Sequence, residues 1–374
     1  MTILLAPDKF KGSLSALQVC DALRQELSAA SNKFNIIQLP MADGGEGSCE
    51  LLTFYSGGHP VSVNVRDPLF REIESGYGIS KDGKTAFLEM AKASGLQLLR
   101  KHERNPMVTS TVGTGDLIRH ALNRGVEHII MGIGGSGTSD GGIGMAESLG
   151  VVFYSTSEDR LSPIGKNLNL IHHLDLSRIH PRLQQVRFTI FCDVDNPLHG
   201  PRGAAHIFSP QKGADAAMVN ELDQGLVHYE KVLEKTTDRK VNFAGAGAGG
   251  GLPASLMALA NIGIRRGMDF IIEFTGLEEL VRSADVIITG EGKVDEQTLS
   301  GKVVKGLADL AVVYQKRLIV VAGKNELTAS DLQKLGTEKV VTLMNEGVSE
   351  DEAVRDAFQL LKRRTKEEVI PLFL

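Results

Sequence analysis

The sequence predicts an α/β protein: a doubly wound parallel sheet into which a second mixed α/β domain is inserted. Three observations predict it. Short apolar strands alternate with amphipathic helices at both ends of the chain. Between residues 59 and 277 that grammar gives way to segments of antiparallel character. Glycine accounts for 41 of the 374 residues, against a usual share of about 7%, and the glycines cluster after strands. The sheet domain is therefore expected over 1–58 and 278–374, and the insertion over 59–277.

The elements follow in order. "TILLAPD" is a short apolar strand. A helix should come next, because Ala16, Val19, Cys20, Leu23 and Leu27 share one face, with Ser13 as N-cap. "FNIIQLP" reads as a second strand and "GEGSCELLTFYSG" as a second helix. Near the other end "ADVIITGEG", "RLIVVAG" and "EKVVTLMN" read as strands, separated by "KVVKGLADLAVVYQ" and by a helix starting near Thr328. "SEDEAVRDAFQLLKRR" closes the chain as a helix, with Ser349 and Glu352 in capping-box spacing. In the middle, "PVSVNVRDP", "REIESGYGIS" and "KTAFLEM" alternate as antiparallel strands do, and "HIIMGIGG" and "VRFTIFCDV" follow as further strands.

Composition removes several classes. The chain is 42% hydrophobic and 23% charged, enough for two cored domains. A net charge of −5 gives no basic footprint for nucleic acid. No apolar run reaches the ~18 residues of a membrane span, and the N-terminus lacks the basic segment of a signal peptide. Cys20, Cys49 and Cys192 are few and scattered, which fits a reducing cytoplasm rather than a disulfide or zinc framework. The adjacent pair His172 and His173 has no third ligand at useful spacing and reads as surface histidines.

Ligands of open parallel sheets bind outside the carboxyl ends of the strands, and polar residues collect there. The first strand ends at Asp8, followed by Lys9 and Lys11. The second runs into "MADGGEG" with Asp43 and Glu46. The third runs into "TGEGKVDEQT" with Gly290, Glu291, Lys293 and Asp295, and later strands end at Lys324 and at Asn345 and Glu346. The plain reading is that loops are polar in any case. Glycine beside a carboxylate, however, allows backbone to approach a ligand while the carboxylate holds a metal or hydroxyl.

The densest signal is "GIGGSGTSDGGIGM", residues 132–145, with seven glycines. It follows a strand and precedes a helical stretch. Its G-x-G-x-x-G lacks a ribose-binding acid about 20 residues on. It reads better as a nest of backbone N–H groups, with Ser136, Thr138 and Ser139, facing an anion at a helix N-terminus. The plainer alternative, a tight turn needing positive φ, explains two or three glycines. "CDVDNPL" places Asp193, Asp195 and Asn196 at another strand end, and "GAGAGGGL" is a second glycine-rich turn.

One string competes for the nucleotide. "GISKDGKT", residues 78–85, fits G-x-x-x-x-G-K-[ST]. A real phosphate loop must enter a helix at its lysine, and "TAFLEMAKA" could supply one. Against it, Asp82-Gly83 is a strong hairpin signal, with alternation on both sides.

Taken together, "APDKFKGSLSA", "PMADGGEG", "TAFLEMAKASGLQLL", "TSTVGTGDLIRHAL", the glycine stretch at 132–145, "CDVDNPL", "GPRGAAHIFSPQKGA", "GAGAGGGL" and "TGEGKVDEQTLSGK" resemble, in order and over nearly the whole chain, the type I glycerate kinases. The chain departs from many members at Gly137, Ser139, Lys293 and Lys9 and loses no carboxylate. The resemblance implies a flavodoxin-like domain carrying an inserted α/β domain, with the active site in the cleft between them. It implies ATP-dependent phosphorylation of D-glycerate, to 2-phosphoglycerate in most of the family or to 3-phosphoglycerate, with Mg²⁺ and ATP. The expected molecule is a cytoplasmic monomer or homodimer without nucleic-acid or membrane partners. The alternatives are a kinase of another small hydroxy acid or polyol, and a nucleotide-binding relative without turnover.

Phosphoryl transfer asks for positioning and charge neutralisation. On that basis Asp193, Asp43, Lys11 and Lys293 are the expected catalytic residues, with Asp193 as base. Gly134, Gly135, Ser136, Asp140, Gly141, Gly290, Glu291 and Lys302 are expected around the nucleotide. Asp8, Glu46 and Asp295 are expected to hold the metal.

Overall fold

The computed structural model describes the chain except residues 43–46, 301–302, 346 and 374 and the side chains of Met268 and Ser300. Thirteen strands are found among the described residues: β1 (Thr2–Leu5), β2 (Asn35–Gln38), β3 (His59–Arg66), β4 (Glu72–Ile79), β5 (Thr85–Glu89), β6 (His128–Gly132), β7 (Val152–Tyr154), β8 (His173–Asp175), β9 (Arg187–Phe191), β10 (Asn261–Arg265), β11 (Val286–Val294), β12 (Arg317–Asn325) and β13 (Lys339–Thr342). The chain divides into two compact units, Met1–Asp43 with Met268–Leu374, and Gly44–Gly267.

The first unit is a five-stranded, all-parallel sheet in the order β13-β12-β11-β1-β2. Renumbered within the unit this is 2-1-3-4-5, the flavodoxin-like order, and the order reverses between β1 and β11. Its strands are apolar in unbroken runs because both faces are covered. Ile3, Leu5, Val286, Ile288, Ile319 and Val321 pack with Val19, Leu23 and Leu27 of the helix Ala16–Ala30 and with Leu360 and Leu361. Leu4, Ile287 and Leu318 alternate to the other face and are equally buried. The N-cap of Ala16–Ala30 is Ser15, not Ser13: Ser15 Oγ accepts from the Gln18 N–H, and Gln18 returns the bond to the Ser15 N–H. Ser13 instead closes the preceding turn by donating to the Phe10 carbonyl.

The second unit holds a six-stranded mixed sheet, β10-β9-β6-β5-β4-β3, plus the ribbon β7-β8. Strands β5, β6, β9 and β10 run parallel, and β3 and β4 continue the sheet antiparallel. The boundaries differ from those read in the sequence at 58/59 and 277/278. The helix Ser48–Tyr55 goes with the second unit because it is fastened there: the Cys49 N–H donates to Glu89 Oε1 (2.7 Å), and Cys49 Sγ donates to the Phe87 carbonyl. On the far side, the second unit ends at Gly267, and the helix Gly267–Thr275 continues from it into the first.

The string at 78–85 is a hairpin. The Ser80 N–H donates to the Thr85 carbonyl, the Gly83 N–H to the Ser80 carbonyl, and Gly83 has φ +71°. Asp82 Oδ1 accepts from Ser80 Oγ and from the Lys84 N–H, and Lys84 Nζ pairs with Glu127. No helix begins at Lys84, so the P-loop reading falls.

Candidate active site

In the first unit the site residues gather past the carboxyl ends of β1 and β11, at the point where strand order reverses. The Asp8 N–H donates to the Gly290 carbonyl (2.8 Å), which fixes Asp8 beside β11. Asp8 Oδ1 accepts from the Lys9 N–H (2.7 Å). Lys11 sits exposed on a turn closed by the paired backbones of Phe10 and Leu14, with Phe10 buried as its anchor. A Cβ at residue 292 would lie 2.8 Å from the Lys11 nitrogen, so Gly292 is what lets β11 pass this turn.

Beyond residue 290, β11 and β12 continue side by side as far as Val294 and Asn325. Glu291 Oε1 accepts from Thr298 Oγ1 (2.7 Å), which itself accepts from the Asp295 N–H (3.0 Å). Lys293 and Lys324 lie opposite each other in register. Glu326 joins them, 2.7 Å from Lys293 Nζ and 2.8 Å from Lys324 Nζ, and Asp295 lies 3.4 Å from Lys293. The hydrogen bond that Lys293 donates to Glu326 is the first cause of the raised Lys293 pKa. Glu326 was not singled out in the sequence; its signal there is the "KNE" at the end of an apolar strand. Gly290, expected around the nucleotide, is packed into the sheet opposite Val321. It is buried, and a Cβ there would meet the Val321 carbonyl at 1.9 Å. Asp43, Glu46 and Lys302 lie outside the described residues.

In the second unit one row of the sheet aligns four strand ends: Glu89 with Gly132, Gly132 with Phe191, and Phe191 with Arg265. β6 then runs into the glycine-rich segment 132–145 and β9 into the polar segment 192–196, whereas β5 enters the short helix Ala91–Ser94. Asp193 follows β9, is exposed, and its Oδ1 accepts from the Gly267 N–H (2.9 Å). Asp195 is a surface residue paired with Arg202. Glu89, missed in the sequence, is a lone acid ending an apolar strand. It is 3% exposed, its Oε2 lacks a hydrogen-bond partner among the described residues, and burial raises its pKa.

The segment 132–145 is mostly scaffold. Only Gly134 and Gly135 are exposed, with Ser136 at 9% on their flank. The rest interlocks with the second glycine-rich turn. The Gly141 N–H donates to the Gly250 carbonyl (2.9 Å). A Cβ at 250 would meet the Thr138 carbonyl at 2.2 Å, and one at 251 would lie 3.0 Å from Gly141 Cα.

Asp140, expected at the nucleotide, is fully buried. It accepts from the Thr111 N–H and Oγ1 (both 2.8 Å) and from the N–H groups of Gly142 (3.3 Å) and Gly144 (3.1 Å). Burial still raises its pKa against those bonds. Asp140 therefore caps the helix Ile143–Ser148 from within, and the amides expected to face an anion face Asp140 instead. Asp140 and Gly141, expected at the nucleotide, are both engaged inside the fold. Gly134, Gly135 and Ser136 remain as the tip a ligand can reach.

Carboxylates, paired lysines and an amide-rich tip at the carboxyl ends of parallel strands are the equipment of a phosphotransferase. Comparison with known proteins is more specific. Residues 3–373 match the model of the glycerate kinase family. A glycerate kinase of Bacillus cereus is 40% identical over 367 residues, 98% of this chain and 96% of that one. The glycerate 2-kinase of Escherichia coli is 39% identical over 367 residues, with the same coverage. A crystal structure of a Salmonella typhimurium LT2 protein assigned as glycerate kinase 2 superposes with a TM-score of 0.88 at 38% identity, covering all of this chain and 98% of that one. The chain belongs to the glycerate kinase family, and glycerate kinase is its activity, with glycerate and ATP as substrates.

Proposed function

We propose that this enzyme transfers the terminal phosphoryl group of ATP to the 2-hydroxyl of D-glycerate. The observation that carries the choice of hydroxyl is the 39% identity over nearly the full chain to the Escherichia coli protein named glycerate 2-kinase. The Gly134–Ser136 tip would hold phosphate oxygens through its N–H groups and the Ser136 hydroxyl. Lys11 and Lys293 would face the anionic groups of the substrates, with Lys293 kept in place by Glu326 and Asp295. Asp193 would accept the hydroxyl proton, its carboxylate oriented by the Gly267 amide.

Mg²⁺ takes hard oxygen ligands and is held by one or two carboxylates plus substrate phosphates. Asp8 and Asp295 offer that donor chemistry, with Glu291 hydrogen-bonded beside them to Thr298; Glu46 and Asp43 complete the proposed acidic set. When bound, the ion neutralises charge on the phosphates. No helix among the described residues is long and apolar enough to cross a membrane. The three cysteines are free and buried, and free thiols support a reducing, cytoplasmic setting.

Phosphorus NMR of the product made from D-glycerate and ATP tests the proposal. A phosphate on the 2-hydroxyl couples to one carbon-bound proton and appears as a doublet. A triplet, from the CH₂ of 3-phosphoglycerate, would reject it.

A further inference from the structure

Beneath the exposed tip lies a buried cation. Lys212 is 1% exposed. Its Nζ donates to Ser136 Oγ (2.9 Å) and to the Thr138 carbonyl (2.5 Å). The turn that carries it is tied to the same segment, since Ser209 Oγ and Ser139 Oγ are hydrogen-bonded at 2.8 Å. Burying an ammonium is costly even when it is hydrogen-bonded, and an apolar side chain would fill the space more cheaply. A lysine placed here calls for a reason beyond packing.

Ser136 suggests one. A hydroxyl has one proton and two lone pairs. Because Ser136 Oγ accepts from Lys212, its own proton is left to donate elsewhere, one residue from exposed Gly135. We propose that Lys212 is a positioning residue for the nucleotide: its ammonium fixes the Ser136 hydroxyl as a donor and places positive charge under the Gly134–Ser136 tip, where the ATP phosphates bind. The inference rests on the reading of that tip as the phosphate site.

The ionisable groups around Lys212 are few. Asp140 lies in the same segment and favours the charged lysine. Tyr229, across from Gly141, is hydrogen-bonded to Ser255. The Arg104 backbone abuts Gly213. Burial brings the Lys212 ammonium down to about 7 against the opposing pull of Asp140. An anion at the tip favours the charged form, so nucleotide should bind best below that value and more weakly as pH rises through it.

The test is steady-state kinetics from about pH 6 to about pH 9 on the wild type, Lys212→Met, Lys212→Arg, Ser136→Ala, Gly134→Val and the Ser136→Ala/Lys212→Met double variant. Lys212→Met should raise KM for ATP roughly tenfold or more while KM for D-glycerate holds. The double variant should be no worse than Lys212→Met alone, because one residue acts through the other. Lys212→Arg, whose charge is permanent, should flatten the pH dependence of KM for ATP. An unchanged KM in Lys212→Met, additive effects, or a wild-type pH profile in Lys212→Arg would overturn the proposal. If Lys212→Met does not fold, as read by its thermal melt, the Lys212→Arg profile decides. Should Ser136→Ala and Gly134→Val leave KM for ATP untouched, the phosphate-site reading itself falls. Effects in those two variants with none in the lysine variants would remove only the role of Lys212.

Discussion

Asp193 and Asp140 show how burial separates two acids that look alike in sequence. Each follows a parallel strand and stands among small polar residues. Asp140 is enclosed and saturated by four donors, whereas Asp193 is exposed and its Oδ1 accepts from the Gly267 N–H. In the proposed mechanism it is the exposed acid, Asp193, that meets the substrate hydroxyl. Asp193→Asn should lower kcat by about 10²- to 10⁴-fold, the usual worth of a general base, with KM for both substrates nearly unchanged. Near-wild-type turnover would remove Asp193 from that role.

A second residue-scale prediction concerns stability. His128 lies opposite Arg187 in register; its Nδ1 accepts from Arg187 Nη2 (3.1 Å), and its Nε2 meets Thr189 Oγ1 (2.9 Å). Burial first, and Arg187 second, lower its pKa to about 4. The unfolded chain, with histidine near about 6.5, therefore binds more protons in this window. The stabilisation is complete above that value and is lost as pH falls toward 4. Urea midpoints measured across this range should decline in the wild type and decline less in His128→Gln; parallel curves would contradict the assignment.

At the scale of elements, most of the glycine clustering is a packing device. The segments 132–145 and 245–252 are more than a hundred residues apart in sequence, and each supplies the close neighbour that excludes a Cβ in the other. Local reading could not foresee this, because a nest for an anion and a nest for another backbone share one composition. The hairpin at 78–85 was legible, because alternation and Asp82-Gly83 are local signals. Two glycines of similar φ separate the cases. Gly250, at φ +73°, faces the Thr138 carbonyl, whereas Gly83, at φ +71°, has nothing within 4 Å of a built Cβ. Gly83→Ala should cost about 1 kcal/mol from backbone strain. Gly250→Ala should cost clearly more, about 3 kcal/mol or above, because strain and steric overlap add. Equal losses in chemical denaturation would argue against the interlocked turns.

At the scale of the molecule, the flavodoxin-like order was readable because five apolar strands alternating with helices leave few topologies. Asp8, Glu291, Lys293 and Asp295 lie at or just past the carboxyl ends of those strands, where a parallel sheet carries ligands. The unit boundaries were less legible. The helix Ser48–Tyr55 follows the grammar of the first sheet, and its bonds to Glu89 and Phe87, distant in sequence, assign it to the second unit. Glu89, Lys212 and Glu326 escaped assignment because a lone charge in or near an apolar run signals nothing until its burial and partners are known.

In the proposed mechanism nucleotide phosphates meet the Gly134–Ser136 tip and not the lysine hairpin at 78–85. Amide hydrogen exchange with and without Mg²⁺ and a non-hydrolysable ATP analogue distinguishes the two. Exchange should slow in peptides containing Gly134, Gly135 and Ser136, with no change in peptides covering the hairpin. Protection at the hairpin with an unchanged tip would contradict it.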